Sequence, residues 1–251
     1  MGKWKKWLSA GLFTAMLGTA IIAGPTADVS ANAGNKPYNI ENVSPDAHLA
    51  PSVGDSSSKT SSKAWHKIDG VCYNGSGKKV EGAITRGMDV SEWQGKINWK
   101  EAKKDLDFAF VRISYGTRHL DDYYDYNMTE AEAADVPVGT YVYSLAKTNK
   151  EALAEAQLAI RQMQGHKVSY PVAFDLEDEA TLGTLTRKEI SQIALTFCDE
   201  IRKAGYTPIL YMNLNWYNNF VDWNVLEGSG LDVWIASYGD TILAPSASKY
   251  K

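Results

Sequence analysis

Tyr170-Pro-Val-Ala-Phe-Asp175-Leu-Glu177-Asp178-Glu179 is an apolar run that ends abruptly in acid. From Pro171 to Phe174 nothing alternates. A strand of that kind is covered on both faces, as in a parallel sheet packed under helices. A helix then follows: Thr186 and Glu189 make a capping box, Ile190, Ile193, Phe197 and Ile201 share one face, and Gly205 ends it.

The same alternation extends in both directions. Short apolar runs stand at Gly87–Val90, Phe108–Ile113, Val138–Leu145, Pro208–Met212 and Val233–Ser237. Thr148 with Glu151 repeats the capping device ahead of Leu153, Ala156, Ile160 and Met163, and Gly165 closes that helix. Strand, helix, strand in succession indicates an α/β fold with a parallel sheet. Periodicity leaves a closed barrel and an open sheet as alternatives. This texture begins at Thr85 and defines a domain over 85–251.

What precedes that domain differs in composition. Residues 1–33 carry Lys3, Lys5 and Lys6, an apolar stretch from Leu8 to Ala23, and Ala31-Asn32-Ala33, the pattern of a cleaved signal peptide. The apolar stretch is shorter than the roughly 20 residues of a membrane helix, so export is expected, a retained anchor being the alternative. Residues 34–64 read as a flexible Ser-rich linker. Residues 65–84 hold a hairpin signal at Asn74-Gly75, either a cap on the next domain or one unit of a wall-docking repeat. The net charge of -4 argues against nucleic acid as partner. Cleavage after Ala33 would leave about -6 by the same counting. Cys72 and Cys198 suit either one disulfide or two buried thiols.

Chemistry concentrates where strands end. Residues two apart on a strand point the same way, so Asp175 and Glu177 share a side, roughly 6.6 Å apart at about 3.3 Å of rise per residue. Two crowded carboxyls resist ionising together, and the one that keeps its proton suits a general acid at a glycosidic oxygen. Helix capping is the competing role. Gly87-Met-Asp89-Val-Ser91-Glu92-Trp93-Gln94-Gly95 is a second strand ending in acid, which places Asp89 at the same end, or as a cap for a helix near Trp99. Tyr115, Tyr143, Tyr211, Trp234 and Tyr238 are candidate sugar platforms, and Tyr141 and Trp216 lie in the same zones as core or pocket residues. The histidines at 48, 66, 119 and 166 have no metal-site spacing, and no nucleophile elbow or phosphate loop occurs, so neither metal nor cofactor is expected.

Five ordered segments carry a resemblance: Met88-Asp-Val-Ser91 with Gln94-Gly95; Phe110-Val-Arg-Ile113 with Tyr115-Gly-Thr117; Val138-Gly-Thr-Tyr-Val-Tyr143; Phe174-Asp-Leu-Glu177; and Gly205 to Tyr211 with Val233 to Tyr238. Together they resemble the lysozymes of glycoside hydrolase family 25. The resemblance implies an irregular TIM-like (β/α) barrel that hydrolyses the β-1,4 bond between N-acetylmuramic acid and N-acetylglucosamine in peptidoglycan. It implies Glu177 as general acid, Asp175 as its partner orienting a substrate acetamido group, and Asp89 lining the cleft. A secreted, wall-associated monomer acting on the glycan strand is expected. The family pattern runs on past Tyr238 to another strand and a further acid. Here the chain stops at Lys251, so the expectation is a C-terminally truncated barrel with an uncovered edge. That puts activity in question and makes a non-catalytic, wall-binding module the alternative. A family 18 chitinase is a third reading, although its characteristic run is richer in acids and glycines.

Overall fold

The structure, a computed structural model, describes residues 66–74, 77–80, 83 and 85–236. The expected signal peptide, the linker and Tyr238 lie outside the described residues.

Two short strands come first, β1 (His66–Ile68) and β2 (Val71–Tyr73), paired antiparallel. Their turn is Asp69-Gly70, with φ of 49° and 79°. Two successive positive φ values are what a tight hairpin turn demands, and Asp-Gly supplies them. The Asn74 signal also operates: Lys78 N–H donates to Asn74 Oδ1 at 2.8 Å, and Tyr73 bridges Lys79. Lys67 Nζ reaches Asp107 at 2.7 Å, and the Arg86 N–H donates to the same carboxylate. That ties the hairpin to the amino-terminal side of the main sheet.

The main sheet begins with β3 (Gly87–Val90), followed by a 3-10 turn at Glu92–Gln94 and helix α1 (Trp99–Ala102). Next come β4 (Phe108–Tyr115), β5 (His119–Leu120), α2 (Tyr124–Ala133), β6 (Val138–Tyr143) and α3 (Asn149–Met163). The chain continues through β7 (Val168–Asp175), α4 (Glu179–Leu182), α5 (Arg187–Lys203), β8 (Pro208–Asn213), α6 (Leu214–Asn219), α7 (Trp223–Leu226) and β9 (Asp232–Ala236). Strands β3, β4, β6, β7, β8 and β9 lie side by side in that order, all parallel, with β5 added antiparallel to the end of β4. Among the described residues β3 and β9 are the two edges.

Each face of this sheet has its own apolar cluster. On the helix side, Met88, Val111, Ile113, Val142, Phe174, Leu176, Leu210 and Met212 lie in one cluster with Ile190, Ile193, Phe197 and Ile201 of α5. Each such side chain contributes about 1.5–3 kcal/mol when fully buried. The Thr186–Glu189 capping box forms as read, whereas at Thr148 only half of it does: the Thr148 side chain accepts from Glu151 N–H, and the Glu151 carboxylate accepts from Lys147 N–H instead. On the concave side, Phe108, Phe110, Ala173, Ile209 and Trp234 pack with Tyr141, Tyr170 and Tyr211. Gly139 makes this possible, because a Cβ there would lie 2.6 Å from the Phe110 ring and 2.5 Å from the Pro171 carbonyl oxygen. Cys72 and Cys198 are separate, buried free thiols. Trp216 is in the helix-side core, stacked on Phe220 at 4.4 Å, away from the concave face.

Candidate active site

Strand register assembles the site. One row across β4, β6, β7, β8 and β9 reads Tyr115, Tyr143, Asp175, Tyr211 and Trp234. These residues come from five segments, yet they stand together at the carboxyl ends of the strands, where α/β folds build active sites. Tyr115 and Tyr143 stack at 4.9 Å, and Tyr211 meets Trp234 edge to face at 4.6 Å. Asp175 thus lies between two aromatic pairs.

Phe174 and Leu176 are fully buried in the helix-side core, so the alternate residues Asp175 and Glu177 point to the other side. The two acids therefore share the concave side while the residue between them anchors the turn. Each is nearly buried, at 6% and 7% exposure, and Asp175 Oδ1 and Glu177 Oε1 have no hydrogen-bond partner among the described residues. Burial raises Glu177 to about 7, and the Asp89 charge adds to this. Asp175 is pushed well above the carboxylate range by burial first, then by Glu177 and Asp89. Asp89 itself is raised to about 6 by burial, with Oδ2 unpartnered among the described residues. It does not cap the next helix; Asn98 does. Likewise Asp178 caps α4 by accepting from Thr181 N–H, which leaves Asp175 and Glu177 free of that duty. Glu177 and Asp89, raised to about 7 and about 6, can give up and take back a proton near neutrality beside Asp175, whose proton affinity is raised as well.

Around them, Asn213 and Glu155 had no role in the sequence reading. Asn213 Oδ1 accepts from Trp216 N–H at 3.0 Å, so its amide is oriented while it bonds Glu177 and favours the charged form. It follows Tyr211 by two in β8, and the alternation of a strand would have found it. Tyr115 OH donates to Asp178 Oδ2 at 3.3 Å. Glu155 of α3 is buried and raised to about 7 by burial; it accepts from Ser144 OH at 2.8 Å and Leu145 N–H at 2.9 Å. It holds the end of β6 in place, and Ser144 N–H in turn donates to the Asp175 carbonyl oxygen.

Below this row lies Arg112, 3% exposed, with Nε 2.9 Å from Asp121 Oδ2 and Nη2 2.9 Å from Glu92 Oε1. Glu92 also meets His119 at 2.7 Å. Burial alone would raise Glu92, but His119 and Arg112 more than offset this and hold it below its ordinary range. Glu92, His119 and Asp122 bring potential ligand atoms within 4.8 Å of one another. Spacing gave no sign of that trio. Its central carboxylate is already shared between a guanidinium and an imidazole, so it is built as an ion-pair network.

The family model for glycosyl hydrolases family 25 matches residues 88–249. The chain belongs to that family. Lysozyme M1 of Streptomyces globisporus is 26% identical over 164 residues, covering 61% of this chain and 55% of that protein. The chain spans about half the length of the curated relatives it matches. A family 25 glycosyl hydrolase from Bacillus anthracis superposes with a TM-score of 0.58 at 22% identity, over 76% of this chain and 82% of that one. The modular autolysin LytC of Streptococcus pneumoniae, solved with a synthetic peptidoglycan ligand, gives a TM-score of 0.57 at 19% identity, over 74% of this chain and 52% of that one. These structures share the fold: a mixed α/β domain with a curled parallel sheet.

Proposed function

We propose that this family 25 chain is a muramidase that acts on bacterial peptidoglycan outside the cell, cutting the β-1,4 bond between N-acetylmuramic acid and N-acetylglucosamine. The observation that carries the reading is the placement of Asp175 and Glu177 on one side of a strand end, beside Asp89 and between two aromatic pairs. Glu177, raised to about 7, is protonated in much of the population near neutrality and donates to the glycosidic oxygen. Asp175 orients the acetamido group of the sugar whose bond breaks, and Asp89 faces the charge that develops on the ring. Tyr115, Tyr143, Tyr211 and Trp234 offer their faces to the apolar sides of the sugar rings. The curled sheet is read as the wall of an irregular TIM-like barrel.

The test compares the parent with Glu177→Gln on purified peptidoglycan. Release of reducing ends is expected to fall by about 10²–10⁴, the range of general-acid catalysis. Parent activity should decline as pH rises through about 7, where Glu177 gives up its proton. Equal rates for parent and variant would end the assignment. Retention on insoluble wall with no release by the parent would instead favour a binding module.

A further inference from the structure

We propose that Glu155 is a positioning residue of this site: from inside α3 its carboxylate pins the turn that leaves β6, and that turn sets the Tyr115–Tyr143 pair and the backbone of Asp175 in their places. This rests on the muramidase reading above. The hydrogen bonds of Glu155 go to Ser144 and Leu145, so its action on the site passes through main chain.

Glu155 is 2% exposed, on a face of α3 that otherwise buries Ala152, Ala156, Ala159 and Met163. A carboxyl placed there forfeits its hydration, a cost that close hydrogen bonds must offset. Connecting segments usually run over the surface, where water satisfies their backbone; this one is held by an internal acid. Oε1 accepts from Leu145 N–H at 2.9 Å and Oε2 from Ser144 OH at 2.8 Å. Ser144 Oγ accepts in turn from Ala146 N–H at 3.2 Å, so three consecutive residues close on one side chain.

The pinned turn is where β6 bonds both of its neighbours at the site. Ser144 N–H donates to the Asp175 carbonyl oxygen at 3.1 Å, directly after the last register pair, Tyr143 with Asp175. On the other side, Gly116 N–H donates to the Tyr143 carbonyl oxygen at 2.8 Å, directly after the pair of Tyr115 with Tyr143. The Leu145 side chain packs over Gly116, where an added Cβ would meet it at 3.1 Å. Strand ends open more readily than strand centres, and here the residues with chemistry stand on the final rungs. A displaced turn therefore moves the Tyr115 ring and Asp175 together.

The experiment measures release of reducing ends per folded molecule, in the full chain, for Glu155→Ala and Glu155→Gln. In the alanine variant KM should rise and kcat should fall by about 10–100-fold, the scale set by a misplacement of about 1 Å. Glutamine keeps an acceptor for Leu145 N–H and should recover most of that loss. In a Tyr143→Ala background, Glu155→Ala should raise KM far less than in the parent, because the ring it seats is gone. Exchange of the Gly116 amide should quicken about tenfold relative to that of Ile193 in α5. Should Glu155→Ala not fold, Ser144→Ala removes one of the two donors and is read in its place. Parent values of kcat and KM in the folded variant overturn the proposal, because a purely structural anchor changes only how much protein is folded. A KM effect that adds in full to that of Tyr143→Ala overturns it too. A parent that releases no reducing ends refutes the muramidase reading instead, and Gly116 exchange then decides: quickened, it upholds the anchor; unchanged, it overturns it.

Discussion

Glu177→Gln should make the protein more stable than the parent at alkaline pH. In the folded chain the Glu177 carboxyl is raised from its ordinary value of 4.5 to about 7 by burial and by Asp89. The folded state therefore holds a proton that the unfolded chain releases, and stability is lost as pH rises from about 4.5 to just above 7. At about 1.4 kcal/mol per pH unit, the loss is about 3 kcal/mol when complete. Glutamine has nearly the same shape and never ionises, so the variant escapes it. The difference in unfolding free energy, variant minus parent, should be small and flat below pH 4.5 and grow towards about 3 kcal/mol by pH 8.5. Urea unfolding followed by tryptophan fluorescence at five pH values measures it directly. A difference that stays constant from pH 4 to 8.5 would refute the reasoning, because Glu177 would then titrate alike in both states.

Other expectations follow from single contacts. Glu155→Ala strands Ser144 OH and Leu145 N–H inside the fold; about 2–4 kcal/mol of stability should be lost, read by thermal melting. Gly139→Ala sets a Cβ 2.5 Å from the Pro171 carbonyl oxygen, and overpacking of about 1–3 kcal/mol should lower the urea midpoint. Tyr143→Ala removes the ring that stacks on Tyr115; KM for glycan fragments should rise about tenfold, equivalent to about 1.4 kcal/mol, with a smaller change in kcat.

Much of this was legible in the sequence because the elements obey local rules. Continuous apolar runs became parallel strands within three residues of their expected ends, and one of the two capping boxes formed in full. Asp175, Glu177 and Asp89 were singled out because strand ends are where such folds place chemistry, and the fold brings the three acids together. The concealed part is relational. Nothing near Arg112 in sequence announces that Glu92, twenty residues earlier, closes on it. Nothing about Glu155, in the middle of an amphipathic helix, separates it from a solvated acid until Ser144 is seen against it. The Asp69-Gly70 turn was visible in the residues but lost to the nearby Asn74 signal, and the chain uses both.

One surplus residue in β4 has a reach beyond its size. Between Arg112 and Ser114 that strand advances two positions while β6 advances one. The extra step inverts the phase of everything after it, so that Tyr115 comes to lie against Tyr143 in place of Ser114. One more residue inserted after Ile113 would set Ser114 against Tyr143 and hand the ring's place to a hydroxyl without changing any residue of the aromatic row. The shape of this groove is thus heritable as a count as well as a spelling, and length changes in that strand deserve the same scrutiny as substitutions.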